Sequence, residues 1–319
     1  MLVDVMMPFY GDFTQLRQAV LSVLYQTHRD FRITVVDDCY PDDAPRRWLE
    51  SLADDRVGYL RNDTNLGVNV NFRRCVELVT AEYFVVMGCD DVMHSGYLAR
   101  VVELAGTYPR AAVIAPGVQI IDDAGAVVRP LGDRVKHRLA PREASVLSGQ
   151  DLAVSLLHGN WTYFPSLLWR TEVVREVGEQ GFRQGLDVVL DLALLLDLTV
   201  GGASLVYDPR VVFSYRRHAA SVSSVLAADG DRFIEESAFF DAEARRYAAL
   251  GWSRAERAAK VHLTSRLHHG LARLRAIARS AADFARSSGP PAHSLPSPRR
   301  RYRPTPGRYA GPRRPVPWR

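Results

Sequence analysis

The chain has 319 residues, 47% of them hydrophobic and 24% charged, an ordinary globular balance with room for one large domain or two modest ones. Three widely spaced cysteines, Cys39, Cys75 and Cys89, argue against a disulfide framework or a zinc site, and no apolar run reaches the roughly 18 residues of a membrane span. The formal charge of +5 belongs to the end of the chain, where nine arginines and no acid lie between Arg286 and Arg319; taking nine from +5 leaves the rest at −4, with no basic stripe for nucleic acid.

A strand-like pattern begins at residue 2, where a secretory leader would need a basic start and an apolar run, so the expected compartment is the cytoplasm. Residues 2–8 read as a first strand ended by Pro8, followed by the loop Phe9-Tyr10-Gly11-Asp12. Leu16, Ala19, Val20, Val23 and Leu24 then recur at helical spacing. Residues 31–36 form a β-branched second strand that runs into Asp37-Asp38. A helix over 45–53, a short strand over 57–60, the loop 61–67 and a helix over 70–80 follow. The strand Phe84-Val85-Val86 leads through Met87 into Gly88-Cys89-Asp90-Asp91. This alternation predicts a mainly parallel sheet, and ligands of such sheets gather at the carboxyl ends of the strands. Two adjacent carboxylates repel unless a cation or hydrogen-bond donors hold them, which points to a hard divalent metal; a solvated turn is the alternative.

Beyond Asp91 the pattern predicts a helix over 96–108, a strand over 111–115 and a turn at 122–125. Residues 130–149 are polar and proline-punctuated, and read as an insertion or mobile loop. A helix over 150–158, the loop 159–166, a strand over 167–170 and a helix near 172–177 come next. The apolar run 186–198 is interrupted by Asp187, Asp191 and Asp197, the first two sharing one helical face. An unpaired carboxylate among those leucines costs several kcal/mol, so each needs a partner or a job; Arg183 and Arg170 are the candidate ion-pair partners. Strands over 204–209 and 211–215 precede Arg216-Arg217-His218, a helical stretch follows from 231 to about 286, and the composition from residue 287 onward predicts disorder.

In their order, Met7-Pro8-Phe9-Tyr10, Val35-Val36-Asp37-Asp38, Asn65-Leu66-Gly67 and Gly88-Cys89-Asp90-Asp91 resemble the motifs of family 2 glycosyltransferases with the GT-A fold, over about residues 2–224. The resemblance implies a three-layer αβα catalytic domain at 1–224, leaving a helical extension at 225–286 and a disordered tail at 287–319. It implies inverting transfer of a sugar from a nucleotide-diphosphate donor, expected to be a UDP-sugar, to a hydroxyl on a glycan, a lipid-linked or a small-molecule acceptor, in polysaccharide or glycoconjugate assembly. Pro8 and Tyr10 would then shape the loop around the base, Asp37 would accept from its ring N–H, and Asn65 and Gly67 would belong to the donor loop. Asp90 would touch the ribose or donor sugar, while Asp91 ligates Mg²⁺ or Mn²⁺ on the diphosphate and His218 completes that site. Arg216 or Arg217 would add charge near the phosphates, which of the two being open. Asp191 is the expected general base, with Leu190 where the resemblance implies an acidic neighbour, and Asp187 is the alternative. Trp161 and Tyr163 could stack on a sugar or pack the core. The arginines of the tail could touch anionic lipid at the inner face of a membrane. The rivals are a sugar nucleotidyltransferase and a nucleotide-sugar-binding protein without turnover.

Overall fold

A computed structural model describes residues 1–177, 183, 185–186, 188–217 and 231–262. β1 (Val3–Phe9) is buried along its whole length, as a strand with both faces covered must be. Around it the sheet runs β3-β2-β1-β4-β9-β6-β10-β5. β1 pairs in parallel with β2 (Phe31–Asp37) and β4 (Tyr83–Val86), and β2 in parallel with β3 (Val57–Arg61). The carboxyl ends of these four strands therefore share one edge, where both Asp-Asp pairs stand.

Helices cover both faces. On one side α1 (Phe13–Leu24), α2 (Ala44–Ser51) and α4 (Tyr97–Thr107) bury Leu16, Val20, Leu49, Leu98 and Val101. Asp12 starts α1 by accepting from Gln15 N at 2.9 Å, the N-cap that the loop after Pro8 calls for. On the other side lie α3 (Val68–Leu78), α6 (Gly149–His158), α7 (Thr171–Glu176) and α8 (Leu190–Val200). α8 is apolar nearly all round because it is covered nearly all round, Leu190 and Leu192–Leu196 being buried. The helices read from the sequence as an extension, α9 (Asp231–Ala249) and α10 (Ser253–Val261), put Phe239, Phe240, Tyr247 and Ala259 into that same core, within one compact unit spanning Met1–Arg273.

Three features depart from the expectation. β9 (Leu168–Arg170) is antiparallel to both its neighbours, β4 and β6 (Ala111–Ile121). The two strands expected at 204–215 are one, β10 (Ser204–Arg216), parallel to β6 with register shifts around Asp208–Val211. Pro209 sits in that irregularity and presses on Gly117 of β6, where a Cβ would stand 2.4 Å from the proline carbonyl oxygen. Two-residue strands β5 (Val92–Met93) and β7 (Val127–Val128) pair with β10 and β6. Finally, 130–149 is no mobile loop: it holds α5 (Leu131–Leu139) and β8 (Ser145–Ser148), the latter antiparallel to β10. Polar anchors hold α5 where an apolar stripe would be expected. Its buried Asp133 accepts from Tyr163 Oη at 2.9 Å and from the Arg217 guanidinium at 2.9 and 3.0 Å. No helix among the described residues is long and apolar enough to cross a membrane.

Candidate active site

At the end of β2 the two aspartates divide their work. Asp37, opposite Phe9 in the β1–β2 register, is fully buried; it accepts from Tyr40 N at 2.7 Å and Tyr59 Oη at 2.5 Å, with Arg61 Nη1 at 3.7 Å. Burial and this bond push the Tyr59 phenol up to about 12. Asp38, to which the sequence assigned no role of its own, ties down the neighbouring loop: it accepts from Asn62 Nδ2 (2.9 Å), Leu66 N (2.8 Å) and Gly67 N (2.9 Å). Asn65 turns its side chain inward to accept from Gly67 N at 3.1 Å. Gly67 has φ +81°, which an L side chain resists, and from there α3 begins. Pro8 is buried in β1, while Tyr10 is 57% exposed and meets Tyr40 edge-on at 6.1 Å. The loop after β1 lies against the loop after β4, a Cβ on Gly11 being 3.7 Å from Cys89 Sγ.

The corner after β4 is built with little spare room. Asp91 N donates to Gly88 O at 3.3 Å, closing a turn that carries both carboxylates back over Gly88. A Cβ on Gly88 would stand 2.6 Å from Asp91 Oδ2 and 2.8 Å from Asp90 Oδ1, so glycine is what gives these two oxygens a common space. Asp91 is 1% exposed. Its Oδ1 accepts from Arg216 N at 2.9 Å, and its Oδ2 is buried with no hydrogen-bond partner among the described residues. Burial, and after it the charge of Asp90, pushes the Asp91 carboxyl well above the usual carboxylate range.

Arg216 underpins this corner. It is 2% exposed, and its guanidinium is spent on the carbonyls of Asp90 (2.6 Å), Asp122 (2.7 Å) and Asp123 (3.1 Å) and on Gln18 Oε1 (3.1 Å). Arg217, half-buried, pairs with Asp133 and lies over the Tyr215 ring. From there a run of contacts follows the loop 159–166. The Tyr163 ring packs tilted against Tyr215, and Lys136 Nζ reaches Thr162 O at 2.9 Å and lies over the Tyr163 ring. Thr162 donates to Asn160 Oδ1 through Oγ1 at 2.7 Å, and Asn160 Nδ2 donates to Asp191 Oδ2 at 2.8 Å.

Asp191 stands in the first turn of α8, its Oδ1 accepting from Leu192 N at 2.8 Å. The ion-pair partners expected for it are engaged elsewhere. Arg183 binds Asp197 and Glu243, and Arg170 reaches Glu82, Glu172 and Pro109 O. Of the two roles open to Trp161 the structure shows the packing one: it is 3% exposed, donates Nε1–H to Ser155 Oγ at 3.0 Å and packs edge-on against Tyr207. An indole whose N–H finds a partner packs as well as any apolar ring. Asp187 and His218 lie outside the described residues. Among the described residues no third His, Cys, Asp or Glu joins Asp90 and Asp91 in a cluster. Asp38, Asn160 and Asp133 went unassigned in the sequence because each acts through a partner distant in the chain; only the doubling at Asp37-Asp38 carried a hint.

The comparisons with known proteins agree with this geometry. The sequence model described as Glycosyl transferase family 2 matches residues 4–167. A glycosyltransferase of Rickettsia felis, named as uncharacterized, is 22% identical over 227 residues, 71% of this chain and 36% of its own, so the chain spans about a third of that relative's length. WcaA of Escherichia coli K12, named for colanic acid biosynthesis, is 29% identical over 91 residues, 28% of this chain and 32% of its own. Among solved structures, that of S. aureus TarS 1-349 in complex with UDP-GlcNAc superposes with a TM-score of 0.58 at 13% identity, covering 75% of this chain and 66% of that one. At that identity the likeness is one of fold, the GT-A arrangement that the motifs imply. With more than half of its length matched by the family's sequence model, and Asp37-Asp38, Asn65-Leu66-Gly67 and Asp90-Asp91 gathered at one sheet edge, the chain belongs to glycosyl transferase family 2.

Proposed function

We propose that the chain is an inverting glycosyltransferase that takes a sugar from a UDP-sugar donor, with Mg²⁺ or Mn²⁺ on the diphosphate and Asp191 as general base. The observation that carries the reading is the Gly88–Asp91 corner. A buried carboxylate oxygen with no donor among the described residues, sharing with a second carboxylate a space that one methyl group would fill, is what a small hard cation fits and what a solvated turn does not need. Asp91 Oδ2 and Asp90 are the groups that would hold it, and His218 is the sequence candidate to join them. When bound, such a cation neutralises charge that grows on the diphosphate leaving group.

The chain's own residues supply the rest. Tyr10 and Tyr40 line the exposed end of the β1 and β2 loops, where an aromatic pair suits a nucleobase, and Asp37, buried below, holds the Tyr40 amide; accepting a ring N–H would require Tyr59 Oη to give up its place on Asp37 Oδ2. The complex of the structural neighbour TarS with UDP-GlcNAc supports uridine as that base. Asp191 receives neutral donors, Asn160 Nδ2 and Leu192 N, which orient its carboxyl group. As the acceptor hydroxyl oxygen bonds to the anomeric carbon, its proton passes to Asp191. The bond from that carbon to the diphosphate oxygen breaks with its electron pair leaving on UDP. A single displacement of this kind inverts the anomeric centre. The relationship to WcaA supports a polysaccharide as the class of acceptor.

The experiment is UDP release from a panel of UDP-sugars with Mn²⁺, first with water and then with bacterial polysaccharide fragments as acceptor. Turnover of at least one donor, lost in Asp191→Ala, is expected. Donor binding without release from any of the panel would return the chain to the nucleotide-sugar-binding class.

A further inference from the structure

α8 carries Asp191, which satisfies Leu192 N in its own first turn, but its N-cap residue makes no side-chain cap hydrogen bond. Its N-cap residue, Val189, has no side-chain acceptor, and Leu190, where the resemblance implies an acid, is buried. Four N–H groups at a helix start need partners, and an uncapped apolar start frays. A further acceptor arrives from α9. Glu235 Oε1 accepts from Val188 N at 2.8 Å and from the N-cap amide Val189 N at 3.3 Å, so a carboxylate from another element anchors the chain entering α8 and complements the positive end of the helix dipole. The far end of α8 is held by the same helix. Asp197 accepts from Arg246 Nη1 of α9 at 2.5 Å and from Arg183 at 2.6 and 2.8 Å, while Arg183 Nη1 reaches Glu243 of α9 at 2.7 Å. α9 thus grips α8 at both ends, and Asp191 lies just inside the end that Glu235 fixes.

We propose that Glu235 is a positioning residue for Asp191: it fixes the backbone that enters α8, while Asn160 fixes the carboxylate itself. The proposal rests on the reading of Asp191 as the base. Misplacing a catalytic group by about 1 Å costs up to about a hundredfold in rate, so loosening one turn by less than that should be measurable.

The test compares Glu235→Met, which keeps length and removes the acceptor, with Glu235→Gln, which keeps an acceptor oxygen. Kinetics use the UDP-sugar that the wild-type chain hydrolyses fastest, and hydrogen exchange is followed at residues 188–192. Glu235→Met should lower kcat about tenfold with donor KM within twofold, and speed exchange at 188–192 about tenfold without altering the β1–β4 strands. Glu235→Gln should recover most of both. Wild-type kcat and exchange in Glu235→Met would overturn the proposal. So would KM, kcat and exchange throughout the chain deteriorating together, or Glu235→Gln behaving like Glu235→Met, since a merely structural role gives those results. If Asp191→Ala leaves turnover intact, or no UDP-sugar is hydrolysed, the reading of the base falls first and the proposal with it.

Discussion

A methyl group added at Gly88 meets movable carboxylate ends and no backbone, so Gly88→Ala should disturb the corner far more than the fold. Its expected signature is a Tm within a few degrees of wild type and Mn²⁺ affinity weaker by about tenfold or more, read by calorimetry. The raised proton affinity of Asp91 gives a second expectation with a definite sign. The folded chain holds this proton more tightly than the unfolded chain, whose ordinary value is 3.8, so the associated stability is complete below about pH 4 and is lost as pH rises through the folded value. A cation binds the ionised carboxylate and relieves that loss. The Tm increase produced by Mn²⁺ should therefore be larger at pH 8 than at pH 5; equal shifts would mean that the ion binds elsewhere.

At the scale of elements, the Asn65–Gly67 loop hangs on one side chain. Asp38→Ala strands Leu66 N and leaves Gly67 N only Asn65 Oδ1 and Asn62 Nδ2 only Asn71 Oδ1, and should cost about 1–3 kcal/mol in a denaturant titration, since losing one partner leaves a donor unsatisfied. The strands that end in this site were legible because Val, Ile and Phe recur between turn residues, and the first four strands and their helices form where that rhythm places them. What was illegible depends on partners far away in the chain. α5 lacks an apolar stripe and is held by Asp133, Arg217, Tyr163 and Lys136, none of which a local pattern can pair. The direction of β9 follows from the path back across the sheet, and three residues carry no record of it. The roles of Trp161 and Arg216 stayed open in the sequence because aromatic and basic residues near a site are ambiguous until their N–H groups are followed to Ser155 and to the carbonyls around Asp90.

Over the whole molecule, the helices after residue 231 complete the core beneath α8. Phe239, Phe240 and Tyr247 are at most 6% exposed, and burying side chains of that size contributes about 1.5–3 kcal/mol each, comparable in sum to a domain's net stability. A chain ended at residue 224 should lose cooperative unfolding and bind a hydrophobic dye, whereas one ended at Arg273 should melt like the full chain; circular dichroism melts decide between them. The same wholeness brings four parallel strand ends to one edge and the end of β10 to the Gly88 corner, where Arg216 N meets Asp91 beside the space above Gly88. The central claim is that this space holds a divalent cation beneath a nucleoside diphosphate. UDP binding measured by calorimetry with and without Mn²⁺, in wild type and in Asp91→Asn, tests it most directly. Mn²⁺ should tighten UDP binding at least tenfold in wild type and not in Asp91→Asn; equal affinity with and without the ion in wild type would contradict it.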